Sequence, residues 1–227
     1  MVLLAALLVG FGLPQRACAA AFIYQFDDVF DGSTPAGSAP WLTTSFTDIS
    51  SGVVQMKISA SGLVGSESLS GLFLNLDTAD NSGKLSFTYV GGSGGFSKPS
   101  ISTGNNKFKA DGGGKYDIDL AFSSKSAGSF NGNEYVIYNI SSSAFTLNAM
   151  DFDALSKAAG GSAAFLAAAE ISGISSGCGT SSGWIAPCSL TVVPVPEPST
   201  FGLMAIGAIV LGLGRWLRSA RKQAAPR

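Results

Sequence analysis

The amino-acid sequence predicts an all-β protein, an antiparallel two-sheet sandwich with a jelly-roll-like arrangement, flanked by one apolar segment at each end. Several short runs alternate apolar and polar residues with a period of two, which is the pattern of strands with one wet face. Clusters rich in Gly, Asp and Asn separate these runs and predict turns. The 29 glycines and the low charged fraction of 13% suit a turn-rich β fold better than a helical one.

Residues 1–21 predict a secretory signal peptide with a short signal helix. Residues 2–13 are an apolar run, and the small residues Ala19, Ala20 and Ala21 form a cleavage zone behind it. Cleavage after Ala19 or after Ala21 fits this pattern. We therefore expect the chain to be exported.

Residues 22–190 are predicted to form the β-sandwich. The Ala-rich segment 163–171 would suit a helix by propensity alone. Glycines bound it on both sides and its large apolar residues fall on one strand face, so we expect a buried strand. One helical turn is expected within residues 150–159. The other strand-like runs lie at residues 54–58, 72–76, 85–89, 116–122, 134–140 and 144–149.

The charge distribution of the body excludes several classes of function. Residues 20–194 contain 14 acidic residues, eight lysines and no arginine, a net charge of −6. Binding to nucleic acid needs cations that neutralise phosphates, so no nucleic-acid partner is expected. The chain has no histidine, which excludes Ser-His-Asp and Cys-His catalysis and every metal site with histidine ligands.

Acidic residues in predicted turns leave two interpretations open. Carboxylate and carbonyl oxygens in loops are the ligands that calcium prefers. Asp and Asn also form turns through local hydrogen bonds without any metal. A pair of glutamates could catalyse glycoside hydrolysis. Nothing in the sequence, however, places two of Glu67, Glu134 and Glu170 across a cleft. The candidate calcium groups are Asp27, Asp28 and Asp31; Asp77, Asp80 and Asn81; and Asp111, Asp117 and Asp119.

Two tryptophans of the body are candidate glycan contacts. The faces of Trp41 and Trp184 could stack on sugar rings. A tryptophan at the edge of a sandwich is also a common packing residue, so both interpretations remain. The glycan interpretation gives an alternative function, a carbohydrate-binding module.

The cysteines predict one disulfide bond. If Cys18 leaves with the signal peptide, Cys178 and Cys188 remain as an even pair. An exported protein reaches an oxidising compartment, and the nine intervening residues include glycines and a proline that allow the loop to turn back. A disulfide is therefore favoured over two free thiols.

The C-terminal segment has three parts in a fixed order. Residues 191–200 form a Pro-rich stem that contains Val195, Pro196, Glu197 and Pro198. Residues 201–217 predict an apolar helix of about 25 Å, a short transmembrane span. Residues 218–227 form a basic tail, which the positive-inside rule places in the cytoplasm. The cations that hold the helix in the inner membrane are Arg215, Arg218, Arg221 and Lys222.

This order of motif, helix and basic tail resembles the PEP-CTERM protein-sorting signal of Gram-negative bacteria that make exopolysaccharide. The resemblance implies recognition by exosortase, a membrane-embedded transpeptidase that cuts near Pro196, Glu197 and Pro198. It also implies an inner-membrane precursor that passes to the cell surface or the exopolysaccharide matrix of a biofilm. An ordinary single-pass anchor with a Pro-rich stem is the simpler alternative.

Three segments of the body resemble one uncharacterised family of PEP-CTERM ectodomains. They are residues 73–77, 109–118 and 182–185. This resemblance covers most of the exported part and implies no activity. The expected function is therefore that of an exported, non-enzymatic surface or matrix protein without a cofactor.

Overall fold

The computed structural model describes residues 21–77, 81–125, 127–159, 163–176 and 179–192, all within one unit of the chain. In these residues eleven antiparallel strands form one sheet, which confirms the prediction of an all-β fold. Two short 3-10 helices, Ser82–Lys84 and Ala149–Phe152, accompany them. The strands are β1 (Ala21–Gly32), β2 (Leu42–Ser50), β3 (Val53–Ser59), β4 (Ser68–Leu74), β5 (Leu85–Gly92), β6 (Ser100–Ala110), β7 (Gly114–Ala121), β8 (Phe130–Asn131), β9 (Tyr135–Ser142), β10 (Ala167–Ser176) and β11 (Gly179–Val192).

Hydrogen bonds run without a break from one end of the sheet to the other. The order of neighbouring strands is β5-β9-β3-β2-β1-β11-β10-β4-β7-β6, and β8 pairs with β4. The sequence predicted two separate sheets, and this arrangement is not confirmed because β1 and β11 link the two halves. Alternation shows which face of a strand is buried, whereas it does not identify the strand's neighbours.

Each strand turns one face towards a single main core. Phe22, Tyr24 and Phe26 of β1 are fully buried there. The rings of Phe22 and Phe46 stack at 5.0 Å, and those of Phe46 and Phe152 stack at 4.5 Å. Full burial of one such side chain stabilises the fold by about 1.5–3 kcal/mol. Residues from strands at both ends of the sheet share this core, so the sheet curls around it.

The expected strand-like runs are largely confirmed. Residues 54–58 lie in β3, 85–89 in β5 and 134–140 mostly in β9. The run at 72–76 belongs to β4, which ends at Leu74, and the run at 116–122 belongs to β7. The Ala-rich segment is also a strand, although it begins at Ala167, with Ala167, Ala169 and Ile171 fully buried.

The prediction of a strand at residues 144–149 is wrong. This segment leads into the 3-10 helix Ala149–Phe152, close to the helical turn that was expected slightly later. The Asn148 side chain accepts a hydrogen bond from the Met150 N–H, and the Asp151 carboxylate accepts one from the Asn148 N–H. Such local bonds offer the backbone an alternative to a sheet ladder.

The β6–β7 hairpin bends sharply in its middle. Thr103 pairs with Ile118 and Phe108 pairs with Tyr116, so residues 104–107 lie opposite a single residue of β7. That residue is Asp117, whose carboxylate accepts the N–H of Leu76 at 3.1 Å and the N–H of Asn106 at 2.5 Å. Asp117 therefore satisfies one backbone donor of the bulge, at Asn106, and one just beyond the end of β4, at Leu76.

Beyond this bend, the end of the hairpin covers a second, smaller apolar cluster. Phe73, Ala168 and Trp184 alternate along their strands with main-core residues, so they lie on the opposite face of the sheet. A Cβ atom at Gly113 would lie 3.3 Å from the Phe30 ring, which shows how closely the hairpin turn approaches β1. We call this group the second core; its members are Ala110, Tyr116 and Ala168, with Phe30, Phe73, Phe108 and Trp184 packed against them.

A polar contact joins the two ends of the strand order. Ser82 lies immediately before the edge strand β5, and Asn105 lies in the other edge strand, β6. The Ser82 N–H and hydroxyl both donate to Asn105 Oδ1, at 3.2 and 2.9 Å. This contact holds the two edges of the curled sheet near each other.

We predict that Asp117→Asn destabilises the protein by about 1–3 kcal/mol, because the amide has a single acceptor oxygen for two backbone donors. The free energy of unfolding, measured by urea denaturation, tests this. Asp111→Asn is the matched control, since Asp111 is an exposed turn residue of the same hairpin. Equal urea midpoints for the two variants would contradict the role assigned to Asp117.

The buried tyrosines predict a loss of stability at alkaline pH. Burial raises the pKa of Tyr116 to about 12, and contact with Ser156 lowers it slightly. The unfolded phenol ionises near pH 10, so the stabilisation is complete below pH 10 and is lost as the pH rises towards 12. The free energy of unfolding is measured at pH 9 and at pH 11. Its decrease between these two pH values should be about 1.4 kcal/mol smaller in Tyr116→Phe than in the wild type. An identical loss in both proteins would show that Tyr116 does not titrate in this way.

Candidate functional site

The chain enters and leaves the sheet at the same place. Phe22 near the start of β1 pairs with Val192 at the end of β11. Ala21, the first residue of β1, is buried and pairs with Thr47 of β2. Ala19 and Ala20 lie outside the described residues. Cleavage after Ala19 would leave β1 complete, whereas cleavage after Ala21 would remove a paired residue.

Trp41 does not offer a face to a sugar, so the prediction of a glycan contact there is wrong. Its side chain is only 6% exposed and belongs to the main core. The indole N–H donates to the Gly37 carbonyl at 2.7 Å. The packing interpretation is therefore the correct one for this residue.

Trp184 is half-buried and belongs to the second core. Its ring lies 5.5 Å from the Phe73 ring and 6.3 Å from the Phe30 ring, tilted against both. On the neighbouring strands it is paired with Asp31 and Glu170. Aromatic neighbours occupy much of the ring's surroundings, and a glycan contact at Trp184 stays a prediction.

Several of the acidic residues proposed for calcium accept hydrogen bonds from the backbone. Asp27 accepts the Cys188 N–H, and Asp31 accepts the Gly32 N–H. Burial raises the pKa of Asp119, which favours its neutral form. Asp80 lies outside the described residues. Within the described ranges, no three acidic or cysteine side chains converge closely enough to hold a metal ion.

Two of the three glutamates of the body accept backbone hydrogen bonds that stabilise loops and turns. Glu67 is 2% exposed, and its carboxylate accepts the N–H groups of Ala36 and Val64 at 2.6 and 2.9 Å. It therefore joins two loops as a structural anion. Glu134 accepts the Asn131 N–H at 2.6 Å within a turn.

The predicted disulfide is not confirmed, because Cys178 lies outside the described residues. Gly179 is the first residue of β11. Cys188 has a free, exposed thiol nine residues further along the same strand, about 30 Å away at the rise of extended chain. A disulfide needs Cα atoms within about 4.4–6.8 Å. The glycines and the proline between the cysteines lie in a strand, not in a loop that turns back.

The sorting residues and the basic tail lie outside the described residues, and so does the predicted transmembrane helix at 201–217. The last described residue, Val192, precedes Pro194 by two positions. In the part of the chain that the structure describes, no helix is long and apolar enough to span a membrane.

Comparison with known proteins identifies the C-terminal segment. Residues 194–219 match the family model of the PEP-CTERM protein-sorting motif. The chain therefore carries a PEP-CTERM protein-sorting motif, as the sequence predicted, behind an all-β body. This motif implies a secreted, cell-envelope-targeted protein with exosortase as the processing partner. No curated protein and no solved structure matches the chain.

We predict that Cys188 reacts with a maleimide without prior reduction. Slight burial raises the pKa of its thiol, and the carboxylates of Asp28 and Asp27 raise it further, so labelling should be slow at pH 7 and faster at higher pH. In a Cys178→Ser variant, the mass shift that labelling produces reports on Cys188 alone. If the wild type labels at Cys188 only after reduction while the variant labels freely, the two cysteines form a disulfide after all.

Proposed function

We propose that the protein is a non-enzymatic component of the cell surface or exopolysaccharide matrix, exported as an inner-membrane precursor and released from its tail by exosortase. The observation that carries this proposal is the match of residues 194–219 to the sorting motif, immediately beyond the last strand of the folded body. A hydrophobic tail can act as an address that is removed rather than as a permanent anchor.

The short stem limits where the folded body can be during processing. Glu197 lies five positions after Val192. A fully extended chain of this length spans about 17 Å. The three prolines at 194, 196 and 198 favour such an extended conformation. Exosortase therefore cuts close to the end of the sheet, and the folded body must leave the stem accessible.

The proposal of a non-enzymatic body is supported by the chemistry of the side chains. The chain has no histidine to act as a general base. The carboxylates of Glu67 and Asp117 are engaged with backbone N–H groups, which suits structural roles. An exported protein of this kind would act through its surface, in the matrix or on the cell.

We predict that Glu197→Gln leaves an uncut precursor in the inner membrane. Glu197 is the only acid after Glu170, and its carboxylate can accept charge-assisted hydrogen bonds from a basic pocket of the enzyme. Loss of such a contact should slow cleavage about tenfold or more. The size and membrane fractionation of the protein are compared in hosts with and without exosortase.

Two matched controls separate the sorting signal from general effects. Glu170→Gln removes one carboxylate from the body and should be processed normally. Replacement of Arg215 and Arg218 by Gln should impair processing, whereas replacement by Lys keeps the positive charge and should not. A wild-type protein that retains its tail in both hosts would overturn the proposal and identify the segment as a permanent anchor.

A further inference from the structure

A row of three lysines crosses the outer surface of the hairpin that covers the second core. Lys109 of β6 pairs with Lys115 of β7, and Lys115 pairs with Lys157 of the loop that precedes β10. Residues directly opposite each other in a sheet point to the same side. We call these three residues the lysine row, and all three are exposed.

The backbone fixes the spacing of the row. Lys115 and Lys157 exchange two hydrogen bonds, N–H to carbonyl, at 2.8 and 3.0 Å. The backbone groups of Lys115 thus face Lys157, so Lys109 and Lys115 form a non-hydrogen-bonded pair. Cα atoms lie about 5.5 Å apart in the first kind of pair and about 4.5 Å apart in the second. The three Cα atoms therefore follow one another across about 10 Å.

The side chains of the row point away from the second core. Lys109 and Lys115 alternate along the hairpin with Ala110 and Tyr116, which are buried in that core. The Ser156 hydroxyl also donates to the Gly113 carbonyl at 2.8 Å, which fixes the loop beside the hairpin. The row is therefore presented to solvent by a backbone that is held on both sides.

The positive charge of the row is not neutralised within the described residues. None of the three ammonium groups lies within 4.0 Å of a carboxylate there. Like charges that lie directly opposite each other across strands are destabilising. Three of the eight lysines of an acidic body are nevertheless placed side by side. A bound anion would remove this repulsion.

We propose that the lysine row binds an acidic polysaccharide, with one carboxylate of consecutive sugars near each ammonium group. The ligand must carry regularly spaced acids to match the row. It must also be narrow, because the body has a net charge of −6 even with the row included, and it repels a broad anionic surface. A linear polyuronate has both properties. A duplex nucleic acid is disfavoured by the absence of arginine from the body.

The test measures binding of the full-length chain, purified in a non-ionic detergent, to immobilised polygalacturonate and to neutral dextran. The row variant carries Lys109→Gln, Lys115→Gln and Lys157→Gln. The control variant carries the same change of charge elsewhere on the surface, at Lys57, Lys84 and Lys125. Because the assay uses purified protein, its outcome does not depend on processing by exosortase.

We expect the wild type and the control variant to bind polygalacturonate but not dextran, with an affinity that falls as salt is added. The row variant lacks three exposed ion pairs with the polysaccharide, so its Kd should be about tenfold higher than that of the wild type. The urea midpoint of the row variant should equal or exceed that of the wild type, because the repulsion between the lysines is removed.

Three outcomes would overturn the proposal. The first is an equal affinity of the row and control variants for polygalacturonate, and the second is no binding by the wild type. The third is binding to a different partner, and not to polygalacturonate, that is lost in the row variant. Phosphatidylglycerol vesicles would reveal a membrane surface, and sedimentation would reveal association with the acidic surface of a second copy.

Discussion

The pairing of the first strand with the last is the interaction on which the rest of this fold depends. β1 and β11 lie side by side in the middle of the sheet and join its two halves. Residues about 160 positions apart in the sequence must therefore meet before the sheet is continuous. Such long-range pairing is slow, because a large loop is closed before any contact forms. The sheet cannot be completed until residues 179–192 have been exported.

The irregular register of this central pair lets one strand serve two cores. Phe26 of β1 is buried in the main core, whereas Phe30 contacts the second core on the other face of the sheet. Register shifts near Phe26 and again between Val29 and Asp31 accompany this change. Bulges alter the direction of side chains and increase the local twist. The position of the bent hairpin, and therefore of the lysine row, depends on the aromatic surface that results.

The same pairing brings both ends of the folded body together. Phe22 and Val192 are partners, so the chain that follows the signal peptide and the chain that leads to the sorting motif emerge at one end of the sheet. The stem is too short to carry Glu197 far from that end. The lysine row belongs to the hairpin that packs against Phe30, near the end of β1 opposite Phe22.

Much of the local structure and the sorting motif could be predicted from the sequence. Period-2 alternation reflects burial of one strand face, and it identified β3, β5, β7 and β9. The prediction of a strand at 144–149 is wrong because Asn148 and Asp151 form local hydrogen bonds that compete with those of a sheet. The hairpin around residues 111–114 could have suggested the pairing of Lys109 with Lys115, but no local pattern predicts Lys157 as their neighbour.

The sequence alone determined that this protein carries a sorting motif, because such a signal is a contiguous segment whose order of motif, apolar run and basic tail is fully local. The tertiary structure alone decided which strands are neighbours, that Trp41 is buried, and that Cys188 lies far along a strand from Gly179. It also decided which lysines stand in a row. These features depend on contacts between residues that are distant in sequence, and neither alternation nor composition carries information about them.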